Sequence, residues 1–216
     1  MREKTIDVIE QHKIITIVRG VEANSLIPMA EAMYDGGIRL LEITYDASGK
    51  IADKDTAKRI EMLAEHFGGR MVIGAGTVLN ESQVELTQSA GGRFIISPDT
   101  CCSVIEKTRE LEMISIPGAL TPTEIQHAHR CGADFVKLFP INSLGVEYVK
   151  AIKAPLSHVR LLAVGGVSID NIYQYIQVGV SGFGIGSNII DKEAIENGDF
   201  EKITFLAKKY TEEISR

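Results

Sequence analysis

No apolar run in this 216-residue chain approaches the ~20 residues of a membrane span, so no membrane partner is expected. Excess positive charge is missing too. The formal net charge is −6, which gives no general attraction to nucleic acid or to an anionic lipid surface. Any anionic ligand must therefore be captured locally. Cysteine is scarce: Cys101, Cys102 and Cys131 are odd in number and two are adjacent, which argues against a disulfide framework and for a reducing, cytoplasmic setting. There is no CxxC and no HExxH, and His127 and His129, two apart, stand on different sides of a helix. No dedicated metal site is expected. The first residues, MREKTIDVIEQHK, are charged and amphipathic, unlike a signal peptide. No stretch has the composition of a linker, so residues 1–216 are expected to form one domain around one sizeable core.

What is present is a recurring punctuation, in which a helical pattern ends in glycine and a short apolar run follows. It occurs at Gly36-Gly37, Gly68-Gly69, Gly91-Gly92, Gly132 and Gly179. Glycine lets a helix end in the left-handed conformation, and the apolar run has the length of a buried strand. Repeated along a chain, this is the signature of βα units and a parallel sheet. The pattern predicts strands near 14–18, 38–44, 71–75, 93–97, 113–117, 134–139, 160–164 and 182–186. Helices are predicted at 24–35, 54–66, 81–90, 101–111, 122–131, 145–153, 169–178 and 199–213. Asn80, Thr121-Pro122 with Glu124, and Ser168 supply helix starts. Eight strands and eight helices fit an α/β TIM (β/α)8 barrel, with an extra N-terminal helix at 2–11 covering one end. An open doubly wound sheet would carry a GxGxxG or P-loop after its first strand, where this chain has Arg19-Gly20-Val21.

Chemistry in a TIM barrel sits at the C-terminal strand ends. In the strand at 134–139, Phe135, Lys137 and Phe139 share one face. A lysine on a strand apolar on both sides is desolvated toward its neutral amine, the form that attacks a carbonyl. Glu42, on the strand at 38–44, is the matching proton carrier. The competing structural role is a buried Glu–Lys ion pair. Gly165-Gly166 and Gly186-Ser187 follow the seventh and eighth strands, where backbone N–H groups hold phosphate. Thr77 and Ser97 offer hydroxyls, and Arg19 a fixed cation for a carboxylate. For the glycines and hydroxyls, ordinary turn chemistry is the alternative. Asp46 and Asp99 fit turn positions, and Cys101-Cys102 fit the start of a helix.

Leu41-Glu-Ile-Thr44, Ile73-Gly-Ala-Gly-Thr-Val78, Ile96-Ser-Pro98, Ile116-Pro-Gly118 with Leu120-Thr-Pro122, Lys137-Leu-Phe-Pro140 and Val164-Gly-Gly-Val167 follow the order and spacing of one family. The chain resembles the 2-keto-3-deoxy-6-phosphogluconate (KDPG) / 4-hydroxy-2-oxoglutarate (KHG) aldolases, class I enzymes with a TIM-barrel fold, over nearly its whole length. The resemblance implies a carbon–carbon lyase with Lys137 as Schiff-base lysine and Glu42 as general acid/base. It places Arg19, Thr77, Pro98 and Phe139 at the pyruvate end, and Gly165, Gly166 and Ser187 at the phosphate end, to which the strand-end pattern adds Gly186. It also implies no metal or other cofactor, a small 2-keto acid substrate and a homotrimer. Three positions depart from the pattern. Val164 replaces a threonine, as in the related 2-keto-3-deoxy-6-phosphogalactonate aldolases; Asp46 replaces an arginine; and Asp99 follows Ser-Pro where glycine or histidine is usual. The alternatives are the galactonate-type aldolase and a barrel that binds sugar phosphates without chemistry. A metal-dependent epimerase would need a His/Asp ligand set that the strand ends lack.

Overall fold

The computed structural model describes residues 2–215. Its strands are β1 (Ile14–Val18), β2 (Leu40–Thr44), β3 (Val72–Gly76), β4 (Phe94–Ile96), β5 (Ile114–Ile116), β6 (Gly118–Ala119), β7 (Val136–Leu138), β8 (Leu161–Val164) and β9 (Gly182–Ile185). The helices are α1 (Arg2–His12), α2 (Ala23–Asp35), α3 (Asp53–Phe67), α4 (Glu81–Ser89), α5 (Cys102–Glu110), α6 (Pro122–Arg130), α7 (Gly145–Lys153), α8 (Ile172–Gln177), α9 (Lys192–Glu196) and α10 (Phe200–Glu213). All strand pairs are parallel, in the order β5-β4-β3-β2-β1-β9-β8-β7-β6.

The two end strands of that order are consecutive in the chain and separated only by Pro117. Across it the backbone changes partners. The Ile116 carbonyl accepts from Ser97 N on the β4 side, at 3.3 Å, while the Pro117 carbonyl accepts from Lys137 N on β7, at 2.8 Å. The ring thus closes into a TIM-like barrel of eight staves, and the predicted strand at 113–117 is one stave divided at a residue with no N–H to donate.

Each predicted glycine junction holds a glycine with positive φ, from 52° at Gly68 to 99° at Gly132. Helix starts follow the side-chain chemistry. Thr121 and Glu124 form a reciprocal capping box on α6, and Asn80 accepts from Gln83 N at 3.0 Å on α4. The predicted start at Ser168 is corrected. The Asn171 side chain takes the Ser168 N–H at 2.8 Å, and α8 begins only at Ile172. One helix, α9, was not predicted at all.

Strand alternation sorts the core into two shells. Ile14, Leu41, Ile43, Val136 and Leu138 face outward to the helices. Ile15, Leu40, Phe94, Ile96, Ile114, Ile116, Phe135 and Leu162 fill the tube, together with Ile9 of α1. The N-terminal helix therefore covers one barrel end, as expected, and is pinned there by Arg2–Asp134 (2.5 Å) and Arg160–Glu10 (2.9 Å) ion pairs. The other end is left for the site.

Candidate active site

Two residues above Leu40 and Phe135 on the same inward faces stand Glu42 and Lys137, with exposures of only 2% and 8%. Burial pushes the Lys137 ammonium well below the usual lysine range. The Glu42 carboxylate pulls it back up, and the Arg19 guanidinium adds to the lowering. Burial pushes the Glu42 carboxyl up, against the attraction of Lys137 and Arg19. Among the described residues no ion pair joins Glu42 to Lys137. Glu42 Oε2 is buried and accepts no hydrogen bond from the protein. The simple structural pair weighed from the sequence is absent. What stands in its place is an amine and a carboxyl, both biased toward their neutral forms.

Room for the carboxyl comes from β3. A Cβ added to Gly76 would fall within the Glu42 carboxyl group itself, so only glycine fits beside it. Gly118, which pairs in register with Lys137, is fixed for a similar reason: a Cβ there would collide with the Pro98 carbonyl. The loop carrying Pro98 is knit to this point by Gly118 N to Asp99 O (3.1 Å) and Thr100 Oγ1 to Gly118 O (2.8 Å). Pro98 thus lies over the β6–β7 side of the mouth, while Ser97 is buried at the β4 end. The Phe139 ring is 4.6 Å from Lys137 Nζ and half exposed at 37%. On the far side, Arg19 Nη2 donates to Thr77 Oγ1 at 3.0 Å. Thr77 holds a φ of +57°, a left-handed conformation unusual for a β-branched residue and of a kind that collects at functional sites.

Arg19, Gly186 and Ser187 line a cavity of about 530 Å³ with Ile17, Ile190, Asp191 and Lys192. Gly165 and Gly166 do not line it. They end the neighbouring stave β8, Gly165 beside Phe139 and Gly166 against Asn142, both with positive φ. Neither glycine pair leads straight into a long helix. Gly166 is followed by a loop that Asn171 Nδ2 and Asn188 Nδ2 hold through the Gly166 and Val167 carbonyls, at 2.9 and 2.8 Å. Asp46 is a turn residue, accepting from Ser48 N, Ser48 Oγ and Ile51 N, which lowers its carboxyl to about 2. A second cavity, of about 540 Å³, lies among Lys4, Val8, Glu65 and Arg93 and shares no residue with the mouth.

Against known proteins, residues 5–206 match the family model for KDPG and KHG aldolase. The chain belongs to this family. Its relatives include the 2-dehydro-3-deoxy-6-phosphogalactonate aldolase of Escherichia coli strain K12, 33% identical over 82% of this chain and 83% of that protein. The KHG/KDPG aldolase of the same strain is 31% identical over 92% of this chain and 91% of that one. A solved structure of the Legionella pneumophila KDPG aldolase, holding pyruvate as a covalent carbinolamine, aligns with a TM-score of 0.84. It is 30% identical and covers 94% of this chain and 96% of that one. The chain is therefore an aldolase, a carbon–carbon lyase with the TIM-type barrel of its family.

Within this aldolase, sequence reasoning missed three features of the described residues. Lys192 lines the Arg19–Ser187 cavity from a helix of five residues, too short to show a period. Asn171 and Asn188 hold the glycine loop. Cys102 and Cys131 are joined in a disulfide beside His127, where the odd, partly adjacent set of cysteines argued against any disulfide framework. The one sequence signal was His127 and Cys131, four apart and so on one helix face.

Among the described residues, no helix is long and apolar enough to cross a membrane.

Proposed function

We propose that this aldolase cleaves 2-keto-3-deoxy-6-phosphogluconate reversibly to pyruvate and glyceraldehyde 3-phosphate, with 4-hydroxy-2-oxoglutarate, giving pyruvate and glyoxylate, as a second substrate. The observation that carries this is one buried amine biased toward its neutral form, electrostatically coupled to one buried carboxyl, at the C-terminal end of a closed barrel.

Lys137 Nζ attacks the C2 ketone, and loss of water from the carbinolamine leaves an iminium that accepts electrons. Glu42 takes the proton of the C4 hydroxyl as the C3–C4 bond breaks, and the aldehyde departs. Glu42 then returns a proton to C3 of the enamine, and hydrolysis frees pyruvate and the lysine. Arg19, held by Thr77, meets the substrate carboxylate, and Pro98 and Phe139 wall the pyruvate end. Gly165, Gly166, Gly186 and Ser187 receive the phosphate. The chain works without a metal or other cofactor, as a cytoplasmic homotrimer. The covalent carbinolamine in the Legionella relative supports the Schiff-base half.

Val164 favours one second reading, cleavage of the C4 epimer, 2-keto-3-deoxy-6-phosphogalactonate. It presents methyl groups where a threonine would offer a hydroxyl beside the Gly165-Gly166 loop, and a galactonate aldolase is among the relatives. Borohydride reduction in the presence of pyruvate tests the core claim. A stable adduct is expected on Lys137, and an adduct elsewhere, or none, would reject it. Initial rates on the two epimeric substrates decide between the readings.

A further inference from the structure

Away from Lys137 and Glu42, three side chains from two helices converge on one point. Cys102 opens α5, and His127 and Cys131 stand one turn apart at the end of α6. Their sulfur and imidazole atoms all lie within 4.8 Å of one another. His127 Nε2 is 3.4 Å from Cys102 Sγ and 3.9 Å from Cys131 Sγ, and the two sulfurs, 29 residues apart in sequence, are bonded to each other. None of the three has a part in the chemistry proposed for the barrel mouth.

We propose that, once its two sulfurs are reduced, this cluster binds one zinc-class divalent ion per chain. Tetrahedral zinc holds thiolate sulfur at about 2.3 Å and imidazole nitrogen at about 2.0–2.1 Å, which sets a sulfur and a nitrogen of one coordination shell roughly 3.6 Å apart. The two Nε2–Sγ distances bracket that value. Two sulfurs in the same shell stand roughly 3.8 Å apart, so the disulfide has to open. With the Cα atoms 5.4 Å apart, rotation of the two side chains suffices for that. Thiolate and imidazole together select zinc and its soft neighbours over magnesium or calcium. Three protein ligands leave a fourth position, and since His127 is exposed, water completes the shell.

The chemistry balances as follows. A phosphine reduces the disulfide by two electrons and becomes its oxide, and one water supplies the oxygen and the two protons of the new thiols. The ion then displaces both thiol protons and binds as a bis(thiolate)–imidazole complex. The same sulfurs hold either a cross-link or a metal, never both, so ion binding reports the thiol state of the α5–α6 surface.

The test uses the full chain, reduced with a phosphine, freed of it under argon and titrated with Co²⁺ as the optical probe. One equivalent should give an intense thiolate-to-cobalt charge-transfer band that one equivalent of Zn²⁺ abolishes. Protein left oxidised should give none. C131S and H127Q should each weaken cobalt binding by at least about tenfold, as expected when one of three ligands is lost. Pyruvate release is measured on each variant to show that the barrel is folded. C101S, whose sulfur faces Ser103 Oγ at 3.5 Å, should bind cobalt as the wild type does. Absence of the charge-transfer band in reduced wild-type protein, wild-type affinity in both C131S and H127Q, or loss of binding in C101S would each overturn the assignment.

Discussion

At the covered end of the barrel, Ile15, Leu40, Phe94, Ile114, Phe135 and Leu162 meet beneath Ile9, with no polar atom among their side chains. Two residues further along the same inward faces, Leu40 and Phe135 give way to Glu42 and Lys137, while Ile17, Ile96, Ile116 and Val164 keep the other staves apolar. Backbone geometry barely changes between the two layers; the difference lies entirely in side-chain chemistry. The lower layer is close-packed, and each large side chain there contributes about 1.5–3 kcal/mol by leaving water. In the upper layer Glu42 and Lys137 oppose folding, since an amine and a carboxyl leave water there without pairing closely. The packed end holds the ring closed so that the strained end can exist, and an active barrel needs both.

That contrast breaks most sharply at Lys137. Lys137→Met should abolish the borohydride adduct and pyruvate release while making the protein more stable at neutral pH. The sign follows from the lowered folded pKa. Between it and the ordinary lysine range the unfolded chain binds more protons, so wild-type stability is lost as pH falls through that window. The methionine variant lacks this loss, and its advantage in melting temperature should vanish at pH above the ordinary lysine range. A less stable Lys137→Met protein at pH 7 would show that the lysine supports the fold instead.

Phe135→Ala probes the opposite end. It should lose about 3–5 kcal/mol of stability in urea, the range for emptying a large buried aromatic site, while folded molecules still trap pyruvate. Glu42→Gln comes next, with kcat down by ~10²-fold or more, which is about 2.7 kcal/mol in barrier. Because the folded pKa of Glu42 is raised, the wild type loses stability as pH climbs from the ordinary glutamate range through that folded value. Glutamine should flatten this limb of the curve of melting temperature against pH.

The fold was legible because glycine after a helix and an apolar run of strand length repeat the same local grammar, and alternation then fixes which side chains face inward. The same alternation made Lys137 and Glu42 legible. What stayed hidden depends on atoms far apart in sequence. The space beside Glu42 is made by Gly76 on the next strand, and the left-handed Thr77 meets Arg19 from the end of another strand. The late start of α8 was a contest between two capping residues, Ser168 and Asn171, that sequence cannot referee. Cys102 and Cys131 meet only because α5 and α6 are brought together by the barrel.

The smallest expected effect concerns the proposed phosphate end, where the loops after the neighbouring strands β8 and β9 are tied together by Asn188. If Ser187 donates one hydrogen bond to a phosphate, that bond is the same in bound substrate and in transition state. Its loss should then raise KM and leave kcat alone. A net hydrogen bond to a charged group is worth about 1.5–3 kcal/mol, and an exposed one sits at the low end, so Ser187→Ala should raise KM by roughly tenfold. The same variant assayed with 4-hydroxy-2-oxoglutarate, which carries no phosphate, should show no change. An equal rise in KM for both substrates would move Ser187 to the pyruvate end, beside Arg19 in the cavity they share. A fall in kcat for both would mean that the β9 loop acts on the chemistry rather than on the far end of the substrate.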